Sequence, residues 1–117
     1  TGKKLSPRKI MMDTRDRLEE VGKNIDANKG VFVPDNKSLL NDYITTEELW
    51  ACTSCNACVE ECPVSISPLS IIMDMRRYLV MEQSAAPNSL NSMMTNIENN
   101  GAPWQYSQQD RLNWKNE

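Results

Sequence analysis

Apolar residues recur at helical spacing early in the chain: Ile10, Met11, Thr14, Leu18 and Val21 share one side, while Arg8, Asp13, Arg15, Asp16, Glu19 and Glu20 fall mostly opposite. The pattern predicts an amphipathic helix from Pro7 to about Val21, with Ser6 as N-cap, Pro7 at the first helical position and Gly22 as its end. Periodicity then lapses. Asn24 to Pro34, with Asn28-Lys29-Gly30 inside it, reads as the most mobile loop, holding at most a short extended Val31-Phe32-Val33. Ser38 to Ile44 predicts one or two helical turns that bury Leu39, Leu40, Tyr43 and Ile44. Thr45-x-x-Glu48 has the form of a capping box, opening a short helix that carries Leu49 and Trp50 into Cys52.

Pro68 to Glu82 is apolar over a wide arc, with Leu69, Ile72, Met73, Leu79 and Val80 on one side and Ile71, Met75 and Tyr78 on another. Such a helix should be central and buried, or face a partner. Ser84 to Pro87 reads as a linker, and Pro87 opens a third long helix carrying Leu90, Met93, Met94 and Ile97, closed by Asn100-Gly101. The segment from Pro103 to Trp114 holds two of the three tryptophans, with Ser107 placed to cap a final turn. At these spacings the seven methionines read as core rather than as a soft-metal surface. The expected fold is all-α, with residues 1–117 as one helical domain and 88–117 as a C-terminal helical extension.

Composition narrows the function. A net charge of −3 over 117 residues describes an acidic soluble domain, in which Lys3, Lys4, Arg8 and Lys9 read as a solvated helix start rather than a nucleic-acid reader. No apolar run exceeds three or four residues, against about 20 for a membrane helix. The amino end, Thr1-Gly2-Lys3-Lys4, lacks an initiator Met and a following apolar region, so the chain reads as a piece of something longer. With no histidine, Ser-His and Cys-His dyads and most catalytic zinc sites are excluded. Chemistry must then rest on other side chains or on a cofactor.

The four cysteines supply that prospect, standing as Cys52-x2-Cys55-x2-Cys58-x3-Cys62 and followed at once by Pro63. This is the bacterial iron-sulfur spacing, in which two-residue spacers aim soft thiolates at corners of one cubane and later residues coil into a helix. Pro63 is placed to stop that helix just after the last cysteine. Structural zinc sites pair two Cys-x2-Cys knuckles across a long loop or add His, and neither pattern occurs here. A disulfide staple would spread its cysteines, and a thioredoxin-like pair would need a βαβ setting.

The chain also resembles itself at an offset of 61 residues: Leu5 to Leu18 lies over Ile66 to Leu79 with seven of fourteen positions identical. Both copies open on Ser-Pro, and in the second copy the helix follows Cys62 by a few residues. A true repeat would put another cysteine run before Thr1. In two-cluster ferredoxins the fourth cysteine of each run binds the other cluster, so Cys52, Cys55 and Cys58 would share one cluster and Cys62 would serve the second. The chain as it stands is then expected to hold a labile, incomplete or empty cluster.

Glu48-Leu49-Trp50-x-Cys-x2-Cys-x2-Cys-x3-Cys-Pro-Val, Met73-Asp74-Met75-Arg76-Arg77-Tyr78-Leu79-Val80, Glu98 to Trp104 and Arg111-Leu112-Asn113-Trp114 resemble the twin-cluster iron-sulfur oxidoreductases. These include the iron-sulfur subunits of heterodisulfide reductase, glycolate oxidase and anaerobic glycerol-3-phosphate dehydrogenase. Thr1-Gly2-Lys3-x-Leu5-Ser6-Pro7 resembles the stretch after that family's first cysteine run. The departures are Ala102 and Gln105, where members often carry Asn-Pro-Trp-Gly, and Asn56, where glycine is common. The resemblance implies an α-helical ferredoxin with two [4Fe-4S] clusters and downstream cysteine-rich domains acting on a disulfide or quinone; no catalytic residues are evident in the chain itself.

The expected role is an electron relay from a flavoprotein or partner cluster, through Cys52, Cys55, Cys58 and Cys62, in the cytoplasm or at the cytoplasmic face of a membrane complex. Trp50 and Val59 are placed to shield the cluster or simply to pack, and Glu60 and Glu61 read as a solvated face. The rival reading is a non-redox module in which zinc staples a helical domain that recognises another protein.

Overall fold

Two Ser-Pro pairs start the two principal helices of this computed structural model, which describes residues 2–116; Thr1, at the head of one motif quoted above, and Glu117 lie outside them. Ser6 accepts the Lys9 N–H at 3.3 Å and opens α1 (Pro7–Ala27), and Ser67 accepts the Ser70 N–H at 3.3 Å and opens α5 (Pro68–Arg77). In each case proline fills a first-turn position whose N–H would be unpaired anyway. Between them lie a kinked turn, α2 (Leu39–Asp42), and the short helices α3 (Thr46–Ala51) and α4 (Ala57–Glu60). Among the described residues there is no strand; one isolated bridge pairs Leu40 with Ile44. The all-α expectation holds. Within these residues no helix is long and apolar enough to cross a membrane.

The chain divides into two compact units, one up to Tyr78 and one from Leu79 onward. The core of the first is Ile10, Leu40, Ile44, Leu49 and Ile72, all buried. Burying side chains of this size contributes about 1.5–3 kcal/mol each. α5 packs against α1, α3 and α4, and α2 packs against α1, so the two repeat helices lie against each other.

Gly22 does not end α1. The helix continues to Ala27, and Asn28 closes it, its N–H reaching the Asn24 and Ile25 carbonyls while its side-chain amide donates to Asn24 O at 2.7 Å. Lys29 and Gly30, both at positive φ, turn the chain away. The inward face is also rotated from expectation: Leu18 is 70% exposed while Arg17 is buried. Arg17 grips Asp35 through two hydrogen bonds of 2.5 and 2.9 Å and donates to Lys37 O at 2.8 Å. Chiefly through those bonds, the guanidinium holds the Asp35 carboxyl well below the usual carboxylate range. Glu20 accepts from the Tyr43 hydroxyl, which lowers the Glu20 carboxyl and raises the Tyr43 phenol. Asn24 pairs with the backbone of Val33 in both directions at 2.9 Å. These bonds tie the end of the 24–34 segment to α1. Val31, Phe32 and Val33 are exposed and form no strand.

The 38–44 stretch is less helical than its pattern predicts. Leu40 is extended and Asn41 has φ +78°, so Leu40 and Ile44 are buried while Leu39 and Tyr43 stay half-buried. The Thr45–Glu48 capping box is present, with the Thr45 hydroxyl accepting the Glu48 N–H at 3.3 Å and Glu48 accepting the Thr45 N–H at 2.8 Å. Glu48 is buried and pairs with Lys9 at 3.1 Å. Burial pushes its carboxyl up, but the Thr45 N–H and the Lys9 ammonium outweigh that and hold it below its ordinary value.

The helix predicted to reach Glu82 leaves α-helical spacing at Arg77 and widens into a π turn, Tyr78–Glu82. In the second unit α6 (Asn88–Asn100) follows Pro87 and is ended by Gly101 at φ +64°, whose N–H reaches Ile97 O at 2.9 Å. A 3-10 stretch, Gln108–Asn116, completes it after Ser107, whose hydroxyl accepts the Gln109 N–H at 3.3 Å. No α6 residue is buried, and Trp104 and Trp114 are exposed. A segment this short offers little apolar surface to cover them. None of the seven methionines is fully buried either: Met11, Met73, Met75 and Met93 are half-buried and Met12, Met81 and Met94 exposed, so they do not form the core.

Candidate metal centre

α3 ends where the cysteines begin. Cys52 caps it in extended conformation, and the loop reverses through two left-handed residues, Ser54 at φ +57° and Asn56 at φ +65°. Asn is among the few residues besides glycine that visit this region readily, which accounts for Asn56 standing where glycine is common in the resembling proteins. Cys58 lies in α4, a single turn; Cys62 follows it, and Ser65 at φ +56° bends the chain towards α5. α4 ends at Glu60, two residues before Cys62 and three before Pro63, so proline does not terminate it; the Glu61 N–H on Ala57 O at 3.0 Å closes the turn.

Cys55 is exposed and the other three cysteines are half-buried, all as free thiols. The Ser54 N–H donates to Cys52 Sγ at 3.4 Å and the Ile66 N–H to Cys62 Sγ at 3.3 Å. At Cys55 the Ala57 N–H, then the Thr53 hydroxyl, lower the thiol below its ordinary value, which favours the thiolate. Cys58 and Cys62 line an apolar cavity of about 330 Å³ with Met11, Met12, Ile66 and Pro68. Among the described residues no three Cys, Asp or Glu side chains converge as ligands of a single ion would.

Two features around α3 were not assigned from the sequence. Arg76 reaches from α5 to the end of α3, donating to Leu49 O at 3.0 and 2.5 Å and to Cys52 O at 2.5 Å, and its guanidinium lies 4.9 Å from the Trp50 ring centroid. The Trp50 Nε1–H is buried with no acceptor among the described residues. The sequence signals at Arg76 were its equivalence to Arg15 in the repeat and its place in the Met73–Val80 motif, neither of which names its partners.

A model of the 4Fe-4S dicluster domain matches residues 4–66, over half of the chain and all four cysteines. The chain belongs to the 4Fe-4S dicluster family. Its relatives include the probable iron-sulfur-binding oxidoreductase FadF of Bacillus subtilis, 33% identical with all of this chain and 21% of the relative covered. The EtfAB:quinone oxidoreductase of Syntrophomonas wolfei is 37% identical over 86% of this chain and 14% of its own. One subunit of the ferredoxin/F420H2-dependent CoB-CoM heterodisulfide reductase of Methanosarcina acetivorans is 31% identical over 74% of this chain and 45% of its own. The chain thus spans about a fifth or less of the first two. No solved structure matches it.

[4Fe-4S] clusters are the family's cofactor, and the residues present fit one. Soft thiols are spaced for a cubane, N–H groups already donate to their sulfurs, an apolar wall stands beside two of them, and a buried indole N–H near the first still wants an acceptor.

Proposed function

We propose that this chain is the electron-relay module of a larger oxidoreductase, with Cys52, Cys55, Cys58 and Cys62 as thiolate ligands of [4Fe-4S] clusters. The observation that carries this reading is the dicluster match over a loop whose cysteine sulfurs already accept backbone N–H groups. When bound, such a cluster supplies one-electron exchange with little nuclear rearrangement. The capping box and the Lys9–Glu48 pair fix the start of α3, so Cys52 leaves a rigid helix end. Two all-cysteine clusters take eight thiolates and these residues carry four, so the remaining ligands come from outside them. Cys52, Cys55 and Cys58 serve one cluster and Cys62 the other, following the ligand crossover of two-cluster ferredoxins.

The donor is a reduced flavoprotein or partner cluster, and the acceptor a quinone or disulfide site in another domain or subunit. The names of the relatives support both acceptor classes. The setting is the cytoplasm or a membrane complex's cytoplasmic face, where thiols stay reduced; one relative, from Chromohalobacter salexigens, is named a probable membrane-anchored ferredoxin. The test is anaerobic purification of the full protein, with iron and sulfide assay and EPR after dithionite. Two cubane signals are expected, one lost in Cys52→Ser and the other disturbed in Cys62→Ser. A colourless protein holding zinc, with no EPR signal, would sink the relay.

A further inference from the structure

We propose that Arg76 is a positioning residue that sets the reduction potential of the cluster bound at Cys52, by fixing a positive charge beside that ligand; the inference rests on the ligation by Cys52 proposed above. Arg76 spends its hydrogen bonds on uncharged partners: all three go to backbone carbonyls, two to Leu49 and one to Cys52. Three other arginines of this unit are neutralised, whereas Arg8, on the cavity beside Cys58 and Cys62 rather than at Cys52, forms no salt bridge among the described residues either. Arg15 pairs with Asp16 at 2.6 Å, Arg17 with Asp35 at 2.5 Å and Arg77 with Asp74 at 2.8 Å. Among the described residues Arg76 makes no salt bridge.

Its charge is also held in place. The carbonyls at the C-terminal end of α3 carry the negative pole of that helix, and the guanidinium caps them. The Trp50 ring covers the guanidinium, so a half-buried cation is braced by a helix end and an aromatic face, one hydrogen bond from the Cys52 backbone.

Reduction adds one electron to the cluster and breaks no bond. A nearby cation stabilises the added negative charge, raising the potential; half-burial leaves part of that effect to solvent screening. Lysine would keep the charge but not the planar fork.

The experiment is a mediator-poised, EPR-monitored redox titration of the full, anaerobically purified protein and its R76Q and R76K variants, with iron and sulfide measured on each. R76Q is expected to keep wild-type iron content and lower the reduced-to-oxidised ratio of one cluster about tenfold at a fixed potential, a shift of about 59 mV for one electron. The second cluster should stay within threefold, and R76K should keep the first within threefold of wild type. An R76Q protein with full iron and a wild-type midpoint overturns the assignment, and so does R76K shifted as far as R76Q. If R76Q takes up no iron, R76K decides: a midpoint within threefold of wild type supports the charge, whereas a larger shift, or an empty R76K, makes Arg76 a brace for the loop and overturns tuning. A wild-type protein without cubane iron would instead refute the relay itself, before any variant is read.

Discussion

After the same Ser-Pro start, α1 and α5 carry Ile, Met and Asp at equivalent positions, 10 and 71, 12 and 73, 13 and 74, yet α1 runs on to Ala27 whereas α5 loses α-helical spacing after Arg77. Their buried positions differ by one residue: Ile10 is buried in α1, but in α5 it is Ile72, the equivalent of Met11. Leu18 is 70% exposed and its counterpart Leu79 only 4%. Arg15 forms ion pairs at the surface with Asp16 and Glu19, while Arg76 caps carbonyls beside the cysteine loop. Local signals place a helix start within a residue. Which of two adjacent apolar positions turns inward, and what an arginine does, depends on what each helix packs against. α1 meets the Asp35–Tyr43 segment through Arg17 and Glu20; α5 meets α1, α3 and α4.

The comparison can be broken most severely in the core. Ile10→Ala and Ile72→Ala should each cost about 3 kcal/mol of protection, measured by hydrogen exchange of α1 and α5 peptides in the full protein, while Leu18→Ala should cost under about 0.5. Equal losses at 10 and 18 would mean that the inward face is wrongly placed. Removing the matched caps, Ser6→Ala and Ser67→Ala, should cost about 1 kcal/mol each, confined to the first turn of the helix concerned.

A smaller effect of opposite sign belongs to α1. Gly22 is helical and an added Cβ meets nothing within 4 Å, so Gly22→Ala should slow exchange across the second half of α1, by about 0.5–1 kcal/mol. Faster exchange would restore Gly22 as a helix end. The mildest test is pH. Because the folded Glu48 carboxyl lies below its ordinary value, its stabilising contribution is complete above the unfolded value, roughly pH 4.3, and is lost as pH falls through the folded value beneath it. Glu48→Gln should flatten this acid dependence of α3 exchange, after correction for intrinsic rates. An unchanged profile would mean that Glu48 contributes nothing.

Three helix starts and one helix end were legible because their signals are local: Ser-Pro twice, Thr-x-x-Glu once, and Asn-Gly at the end of α6. The cysteine spacing was legible for the same reason. Gly22 misled because one glycine inside a long helix costs only about 1 kcal/mol, less than the turns beyond it return. Arg17 and Arg76 escaped notice because their partners lie 18 to 27 residues away, where no spacing rule reaches. The π turn at Tyr78–Glu82 has no signal in the apolar pattern either.

Ser54, Asn56 and Ser65 hold backbone shapes that glycine would adopt freely; Asn56 enters its shape at little cost, but the two serines do so at more, so the surrounding structure must impose theirs. A glycine hinge in their place would let the cysteine ribbon wander among many shapes. With these three in station the ribbon has fewer shapes to sample, and Cys55 is the thiol it leaves most open to solvent.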